Sequence, residues 1–180
     1  MVERPFRAAF LLIYNRWALA PASPMRLAPQ EIRTFFVTSV TLGRKAILQS
    51  HRMAGLLIDV MQQNRKQGRF LLHEFVVMPD HIHLLITPAP AVSLEKAMQY
   101  IKGGFSFRAK KELVYLSSVW QPGFDDHRIH GAIDYERHTN YIHQNPVRRG
   151  LARTVAEYPY SSAFSGAVID PAPPALKRTV

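Results

Sequence analysis

The stretch HIH places His81 and His83 on either side of one isoleucine, inside an apolar run over residues 76–86 that is typical of a buried strand. Alternate side chains of a strand share a face, so both imidazoles point away from the face that carries Ile82. Two imidazoles that converge in this way can bind a divalent cation between them. Strand histidines are also often merely solvated, and two ligands alone do not complete a catalytic metal site.

A second pair of chemically capable side chains lies in the stretch YIHQN, where Tyr141 and Asn145 are four residues apart. This spacing places a phenol and an amide on one face of a helix. An amide oxygen can join two imidazoles around Mg²⁺ or Mn²⁺, and a phenol can attack phosphorus. Tyr141 could instead pack at the rim of the core, and Asn145 could cap the helix. His138 and His143 compete as ligands from the same helix.

Hydrophobic periodicity and turn residues predict seven elements that would position these side chains. Their order along the chain is β, α, β, β, α, β, α. They comprise a strand over 32–40, a helix within 50–68, strands near 69–78 and 81–87, a helix over 93–113, a short strand within 119–129 and a helix over 134–145 that ends before Pro146. The two middle strands are joined by a tight turn at Pro79 and Asp80, which predicts a hairpin.

This order predicts an α+β fold of the ferredoxin-like (split βαβ) type, an antiparallel sheet with helices on one face. The folded domain is expected over residues 31–164. Prolines crowd both ends of the chain, so residues 1–30 are interpreted as a variable N-terminal extension and residues 165–180 as a disordered tail. Asn15 and Arg16 interrupt the apolar stretch near the start, which argues against a signal peptide and favours a cytoplasmic protein.

The charge balance indicates a polyanionic partner. The chain of 180 residues carries 23 lysines and arginines against 13 aspartates and glutamates, a formal charge of +10. Nucleic acid is favoured over a membrane, because no apolar run approaches the roughly 20 residues of a spanning helix. The absence of cysteine excludes disulfides, thiolate ligands and cysteine nucleophiles.

Six basic side chains near the predicted helices are candidates for contacts with DNA phosphates. Such a charge run is also common on a helix face that merely contacts water. The candidates are Lys102, Arg108, Lys110 and Lys111 on or after the second helix, and Arg148 and Arg149 after the tyrosine-bearing helix.

Three motifs in this order resemble those of the REP-associated tyrosine transposases, members of the single-tyrosine HUH transposase superfamily. The motifs are VVMPDHIHLLI, VWQPGFDDHRI, and YIHQNPVRRGL with the later EYPYSSAF. The resemblance extends from about Phe35 to Phe164. It implies a ferredoxin-like sheet with the tyrosine-bearing helix packed across the metal face.

The resemblance also implies roles for four residues. His81 and His83 would bind a divalent metal, Tyr141 would be the nucleophile, and Asn145 would complete the metal site. Members of this family cut single-stranded DNA near palindromic hairpins through a 5′-phosphotyrosine intermediate and can rejoin the strands. Because the covalent link conserves the energy of the phosphodiester, no nucleotide cofactor is expected. The active form would be a monomer or a homodimer.

Two alternatives remain open at the level of the sequence. One is a metal-dependent phosphodiesterase that activates water and forms no covalent adduct. The other is a domesticated DNA-binding or regulatory protein whose site does not turn over. Asp80 stands where members of the family often carry asparagine, so a carboxylate is expected close to the metal.

Overall fold

The computed structural model describes residues 33–177, and the predicted N-terminal extension over residues 1–30 lies outside this range. Seven main elements occur in it, in the predicted order. Along the chain they are β1 (Phe35–Val40), α1 (His51–Lys66), β2 (Phe70–Val77), β3 (His81–Pro88), α2 (Leu94–Leu113), β4 (Asp125–Arg128) and α3 (Ala132–Arg148). Short 3₁₀ turns lie in the connections, including one over Leu42–Arg44.

The four strands form one antiparallel sheet in the order β2-β3-β1-β4. The predicted hairpin is confirmed, since β2 and β3 are neighbours. In the centre of the sheet, Thr38 of β1 lies opposite His83 of β3, and Val40 lies opposite His81. This strand order is that of a ferredoxin-like fold, which confirms the predicted fold class.

The main core lies between one face of the sheet and the helices α1 and α2. Its members include Val37, Ile82, Leu84, Leu57 and Phe105, all of which are fully buried. The two helices approach closely at Gly104, where an added Cβ would lie 3.2 Å from Cγ1 of Val60. Gly104 therefore allows close packing, and α2 continues through Gly103 and Gly104 without interruption.

The opposite face of the sheet is covered by α3. Val76 and Leu85 of the sheet pack there against Tyr135 and Ile142 of the helix. The helix extends beyond its predicted end at Asn145, with Pro146 buried inside its last turn. Proline removes only one donor, and the N–H of Arg149 still donates to the carbonyl of Asn145 at 3.1 Å, so the helical hydrogen bonds continue past it.

The segment after residue 164 also differs from its prediction. Its proline content predicted disorder, whereas residues 165–177 lie against the domain. Asp170 is buried and accepts hydrogen bonds from Arg65 at 2.7 and 2.8 Å and from the N–H of Leu72 at 2.8 Å. A buried carboxylate with an arginine and a backbone donor holds this segment in place, an interaction that proline content cannot indicate.

None of the helices within residues 33–177 combines the length and the apolar character needed to cross a membrane.

A buried histidine on β2 links the sheet to the C-terminal segment. Nε2 of His73 lies 2.8 Å from the hydroxyl of Thr87, and Nδ1 lies 3.3 Å from the carbonyl of Asp170. Burial lowers the pKa of His73, although the nearby Asp170 opposes this shift. The folded protein therefore holds this imidazole neutral under conditions in which the unfolded chain takes up a proton.

We expect the free energy of unfolding of the metal-free protein to fall as the pH drops below about 6.5, the pKa of an unperturbed histidine. The contribution of a neutral buried histidine to the free energy of unfolding is fully present above this pH and is lost below it. His73→Gln should reduce the slope by up to about 1.4 kcal/mol per pH unit. Urea unfolding between about pH 5 and 7.5 measures both slopes. Equal slopes in the two proteins would contradict the inference that the folded protein keeps His73 neutral.

Candidate active site

The strand β3 presents His81 and His83 side by side on the face that α3 covers. Their ring centroids are 4.7 Å apart, and the two residues are only 5% and 4% exposed. Ile82, between them, is fully buried in the core on the other face. The alternation that the sequence predicted is therefore present, and both imidazoles lie under the tyrosine-bearing helix.

Each histidine is held by a contact at Nδ1. His81 Nδ1 donates to Oδ1 of Asp80 at 2.6 Å, and His83 Nδ1 lies 2.9 Å from the hydroxyl of Thr38. Nε2 of His83 is buried and has no hydrogen-bond partner among residues 33–177. A buried ring nitrogen without a partner is costly, and a metal ion would use its lone pair. This observation fits the residues to a divalent metal.

The electrostatics favour the same state. Burial, together with the neighbouring His81, lowers the pKa of His83 to about 3. Burial also lowers the pKa of His81, although its hydrogen bond to Asp80 acts in the opposite direction. Partial burial would raise the pKa of Asp80, but its contacts with His81 and Arg44 outweigh this and lower it. At neutral pH the imidazoles are neutral and Asp80 is ionised, as metal ligation requires.

The helix α3 brings the candidate nucleophile to this pair. The ring of Tyr141 lies 5.1 Å from the ring of His83 and 5.8 Å from that of Phe36. Tyr141 is 38% exposed, so the phenol lies at the surface beside buried histidines. The guanidinium of Arg148 lies 5.9 Å from the centre of the Tyr141 ring. A phosphate that approaches the phenol would therefore also meet a positive charge.

Asn145 lies one turn after Tyr141 on α3 and is buried. Two imidazole nitrogens and one amide oxygen form a donor set that suits a hard divalent ion such as Mg²⁺ or Mn²⁺. A set of three protein ligands leaves coordination positions for phosphate oxygens. A phenol beside such a donor set could accept a phosphoryl group.

The six basic candidates fall into two groups. Arg148 and Arg149 lie at the end of α3, beside the histidine pair, and both are exposed. The other four belong to α2, which packs on the opposite face of the sheet. They are Lys102, Arg108, Lys110 and Lys111.

Two of the α2 residues have partners within the domain. The ammonium of Lys102 donates to the backbone carbonyls of Gln121 and Gly123. Arg108 pairs with Glu112 at 2.6 Å, one helical turn away. Lys110 and Lys111 are exposed at the end of the helix. Lys110 and Lys111 are therefore more available for contacts with DNA phosphates than Lys102 and Arg108.

The structure also assembles a cluster that sequence reasoning missed. His127, Asp134 and His138 offer donor atoms that all lie within 4.8 Å of one another. Nε2 of His127 is 2.8 Å from Oδ2 of Asp134, and Nδ1 of His138 is 3.2 Å from Oδ1. Arg137 donates to the same carboxylate at 2.6 Å. Asp134 and His138 have helical spacing, but His127 comes from β4 and meets them only in the folded chain.

His143, the other competing ligand, points elsewhere. Its Nε2 lies 2.8 Å from Oε2 of Glu74 on β2. The hydroxyl of Ser162 donates to the same carboxylate oxygen at 2.5 Å. These contacts join α3 and the C-terminal segment to the sheet, so His143 has a structural use away from the histidine pair.

Comparison with known proteins agrees with the resemblance inferred from the motifs. The family described as IS200-like transposase matches residues 34–145. The REP-associated tyrosine transposase of Escherichia coli is 28% identical over 130 residues, which cover 72% of this chain and 75% of that protein. A protein of Haemophilus influenzae named as a putative REP-associated tyrosine transposase is 33% identical over 96 residues, which cover 48% of this chain and 54% of that protein.

A solved structure shares the fold. The structure of a REP-associated tyrosine transposase bound to a REP hairpin matches with a TM-score of 0.63 and 25% identity. The match covers 88% of this chain and 99% of that chain.

Two substitutions test whether the contacts at Nδ1 prepare the imidazoles for a metal. Thr38→Val removes the hydroxyl beside His83 and keeps the side-chain shape. Asp80→Asn removes the negative charge to which His81 donates. We expect each change to weaken Mn²⁺ binding about 10–100-fold. A hydrogen bond to the ring nitrogen that does not bind the metal orients a metal-binding histidine, and each change removes or weakens such a bond.

Titration calorimetry measures these affinities. All of the proteins should carry His127→Ala, so that the cluster at Asp134 contributes no Mn²⁺ site. Asp59→Asn, an exposed change on α1, serves as the matched control and should leave the affinity unchanged. The same affinity in Thr38→Val, Asp80→Asn and the control would show that these contacts do not serve a metal.

Proposed function

The chain belongs to the family of IS200-like transposases, and on this premise we propose that it cleaves single-stranded DNA beside a hairpin by forming a covalent bond to Tyr141. The single observation that carries this proposal is the position of the Tyr141 ring, 5.1 Å from the ring of His83. A partly exposed phenol lies there next to a buried imidazole nitrogen that has no partner among the described residues. With a phosphate between the phenol and this nitrogen, the phenol is placed to attack phosphorus.

The reaction balances as a transesterification. The Oη atom of Tyr141 forms a bond to phosphorus and loses its proton to a base or to water. The bond between phosphorus and the 3′ oxygen of the preceding nucleotide breaks, and that oxygen takes up a proton. The phosphodiester energy is kept in the phosphotyrosine bond, so the 3′-hydroxyl can later attack it and restore the strand.

We infer that His81, His83 and Asn145 hold Mg²⁺ or Mn²⁺. The bound ion would neutralise charge on the scissile phosphate and orient it. The chain's own contribution is to keep both imidazoles neutral through burial, while the contacts with Thr38 and Asp80 hold the two rings in position. Arg148, at 5.9 Å from the Tyr141 ring, supplies a fixed positive charge near the phosphate.

We infer hairpin DNA as the partner, because a structurally similar transposase is bound to a REP hairpin and this chain carries a formal charge of +10. Arg148 and Arg149 are placed to contact phosphates close to the cleaved bond. The lysines and arginine of α2 (Lys102, Arg108, Lys110 and Lys111) lie on the other face of the sheet and would contact DNA farther from that bond. Tyr141 packs against His83 of its own chain, so a monomer can supply both groups, although a homodimer would also be compatible.

Two other activities make different predictions. A phosphodiesterase that activates water would cleave the DNA and leave no protein on it. A regulatory DNA-binding protein would bind the hairpin and leave it intact. The proximity of the phenol to the histidine pair favours transesterification over both, because a water-activating site has no need of a tyrosine at this position.

The deciding experiment incubates the protein with labelled single-stranded hairpin DNA from its host genome and Mn²⁺. The label is placed on the side of the strand that would stay attached through a 5′ phosphate. We expect a protein-linked band on a denaturing gel, absent with chelator and absent from Tyr141→Phe, which should still bind hairpin and metal. Loss of the phenol removes the proposed nucleophile, so the expected loss of adduct is complete.

Tyr100→Phe is the matched control. It also removes one phenol hydroxyl, but on α2, and the phenylalanine ring would keep the contact with the guanidinium of Arg69. It should form as much adduct as the unmodified protein. Cleavage without a linked band would support the water-activating enzyme. Binding to hairpins without either product would support the regulatory protein.

A further inference from the structure

A cavity of about 320 Å³ opens beside the candidate metal site, where it reaches His81. It lies between the turn that follows β1, the turn between β2 and β3, and the chain that leaves α3. Three charged residues line it, and these are Arg44, Asp80 and Arg149. Its apolar lining includes Met78, Pro79 and Leu151.

The charges in the cavity favour an anion. Asp80 already accepts hydrogen bonds from His81 at 2.6 Å and from Arg44 at 3.3 Å, which satisfy much of its charge. The Arg44 side chain is 64% exposed and has donors to spare. Arg149 forms no ion pair with any residue in 33–177. Two guanidinium groups against one engaged carboxylate leave a net positive wall.

The apolar walls narrow the class of anion. Met78 is buried, and Leu151 is partly exposed at the mouth of the cavity. A bare phosphate would leave the exposed apolar surface of Leu151 and Pro79 in contact with water. A nucleotide has a charged phosphate for the guanidinium groups and a flat base for the side chains of Pro79 and Leu151. The cavity therefore suits one nucleotide better than an inorganic anion.

The position of the cavity along the strands determines which nucleotide this is. Tyr141 contacts Phe36 and His83, and Phe36 pairs with Leu85 farther along β3. The cavity lies at the other end, at His81 and the turn before it. The histidine pair therefore separates the phenol from the cavity along the direction of β3.

In-line displacement places the nucleophile and the leaving group on opposite sides of phosphorus. If the phenol attacks from its position beside His83, the 3′ oxygen leaves in the direction of His81. We propose that this cavity binds the nucleotide immediately 5′ to the scissile phosphate, which leaves with the new 3′-hydroxyl. This inference rests on the function proposed above, and it assigns Arg44, Arg149 and Leu151 to substrate binding.

The assignment has a mechanistic consequence. When the bond from Tyr141 to phosphorus forms, the bond from phosphorus to the 3′ oxygen breaks, and the leaving strand is no longer covalently attached. A cavity that keeps its last nucleotide beside His81 holds the 3′-hydroxyl in position for the reverse attack on the phosphotyrosine. Retention in this cavity therefore favours rejoining over release of the cut strand.

The test measures binding in the Tyr141→Phe protein, so that no turnover is required. The cleaved bond is first located from the length of the fragment released by the unmodified protein. Hairpin DNA is then prepared with an abasic unit either just 5′ or just 3′ to that bond. We expect the 5′ abasic unit to weaken binding about tenfold, the range of one lost base contact, and the 3′ unit to have a clearly smaller effect.

Substitutions in the cavity provide the second arm. Leu151→Ala together with Arg149→Ala should weaken binding of intact DNA and remove most of the penalty of the 5′ abasic unit, because the base no longer has its contacts. Arg153→Ala, an exposed arginine that pairs with Glu157 outside the cavity, is the matched control and should keep the full penalty. A double-mutant cycle of this kind isolates the contact between base and cavity.

The outcomes separate the two proposals. Equal penalties at the two abasic positions, or a 5′ penalty that survives in the Leu151→Ala and Arg149→Ala protein, would overturn the cavity assignment even if the adduct to Tyr141 forms. If no hairpin gives an adduct with the unmodified protein, the proposed function fails first, and the cavity assignment fails with it.

Discussion

The packing of α3 across the histidine-bearing face of the sheet is the constraint on which the candidate site depends. Ile142 is fully buried in that interface, and this burial holds its neighbour Tyr141 at the edge, with its ring 5.1 Å from that of His83. Successive residues of a helix differ by about 100° in direction, so a rotation by one residue would turn the phenol away from the histidines. It would also move Asn145. The apolar contacts of α3 thus fix the relative positions of the candidate nucleophile and the candidate metal-binding histidines, which lie about sixty residues apart in the sequence.

Burial has a second effect at the same place. An imidazole that is removed from water loses its tendency to take up a proton, and the contacts at Nδ1 with Thr38 and Asp80 hold the two rings in position. Nε2 of His83 is buried without a hydrogen-bond partner among the described residues. A group in this state destabilises the protein unless something binds it, and a divalent ion is the natural candidate. The packing that covers the sheet therefore also prepares the ligands beneath it.

Much of this arrangement could be predicted from the sequence, because it depends on local periodicity. The alternation around Ile82 places the histidines on one face, and the spacing of four places Tyr141 and Asn145 on one side of a helix. The details that escaped prediction depend on contacts between distant segments. The helix continues past Pro146, the carboxylate of Asp170 meets Arg65 from the C-terminal segment, and His127 of β4 joins Asp134. None of these pairings leaves a periodic signal, so only the folded chain reveals them. The proposed roles of the site residues and the domain limits remain predictions.

The most direct test of the central claim locates the covalent bond. After reaction with hairpin DNA and Mn²⁺, the linked protein would be treated with nuclease and trypsin and examined by mass spectrometry. Cleavage after Arg137 and Arg148 releases residues 138–148, in which Tyr141 is the only tyrosine. The account predicts a nucleotide 5′-phosphate on this peptide, with fragmentation that places it on Tyr141. The nucleotide on any other tyrosine, while this peptide remains unmodified, would contradict it.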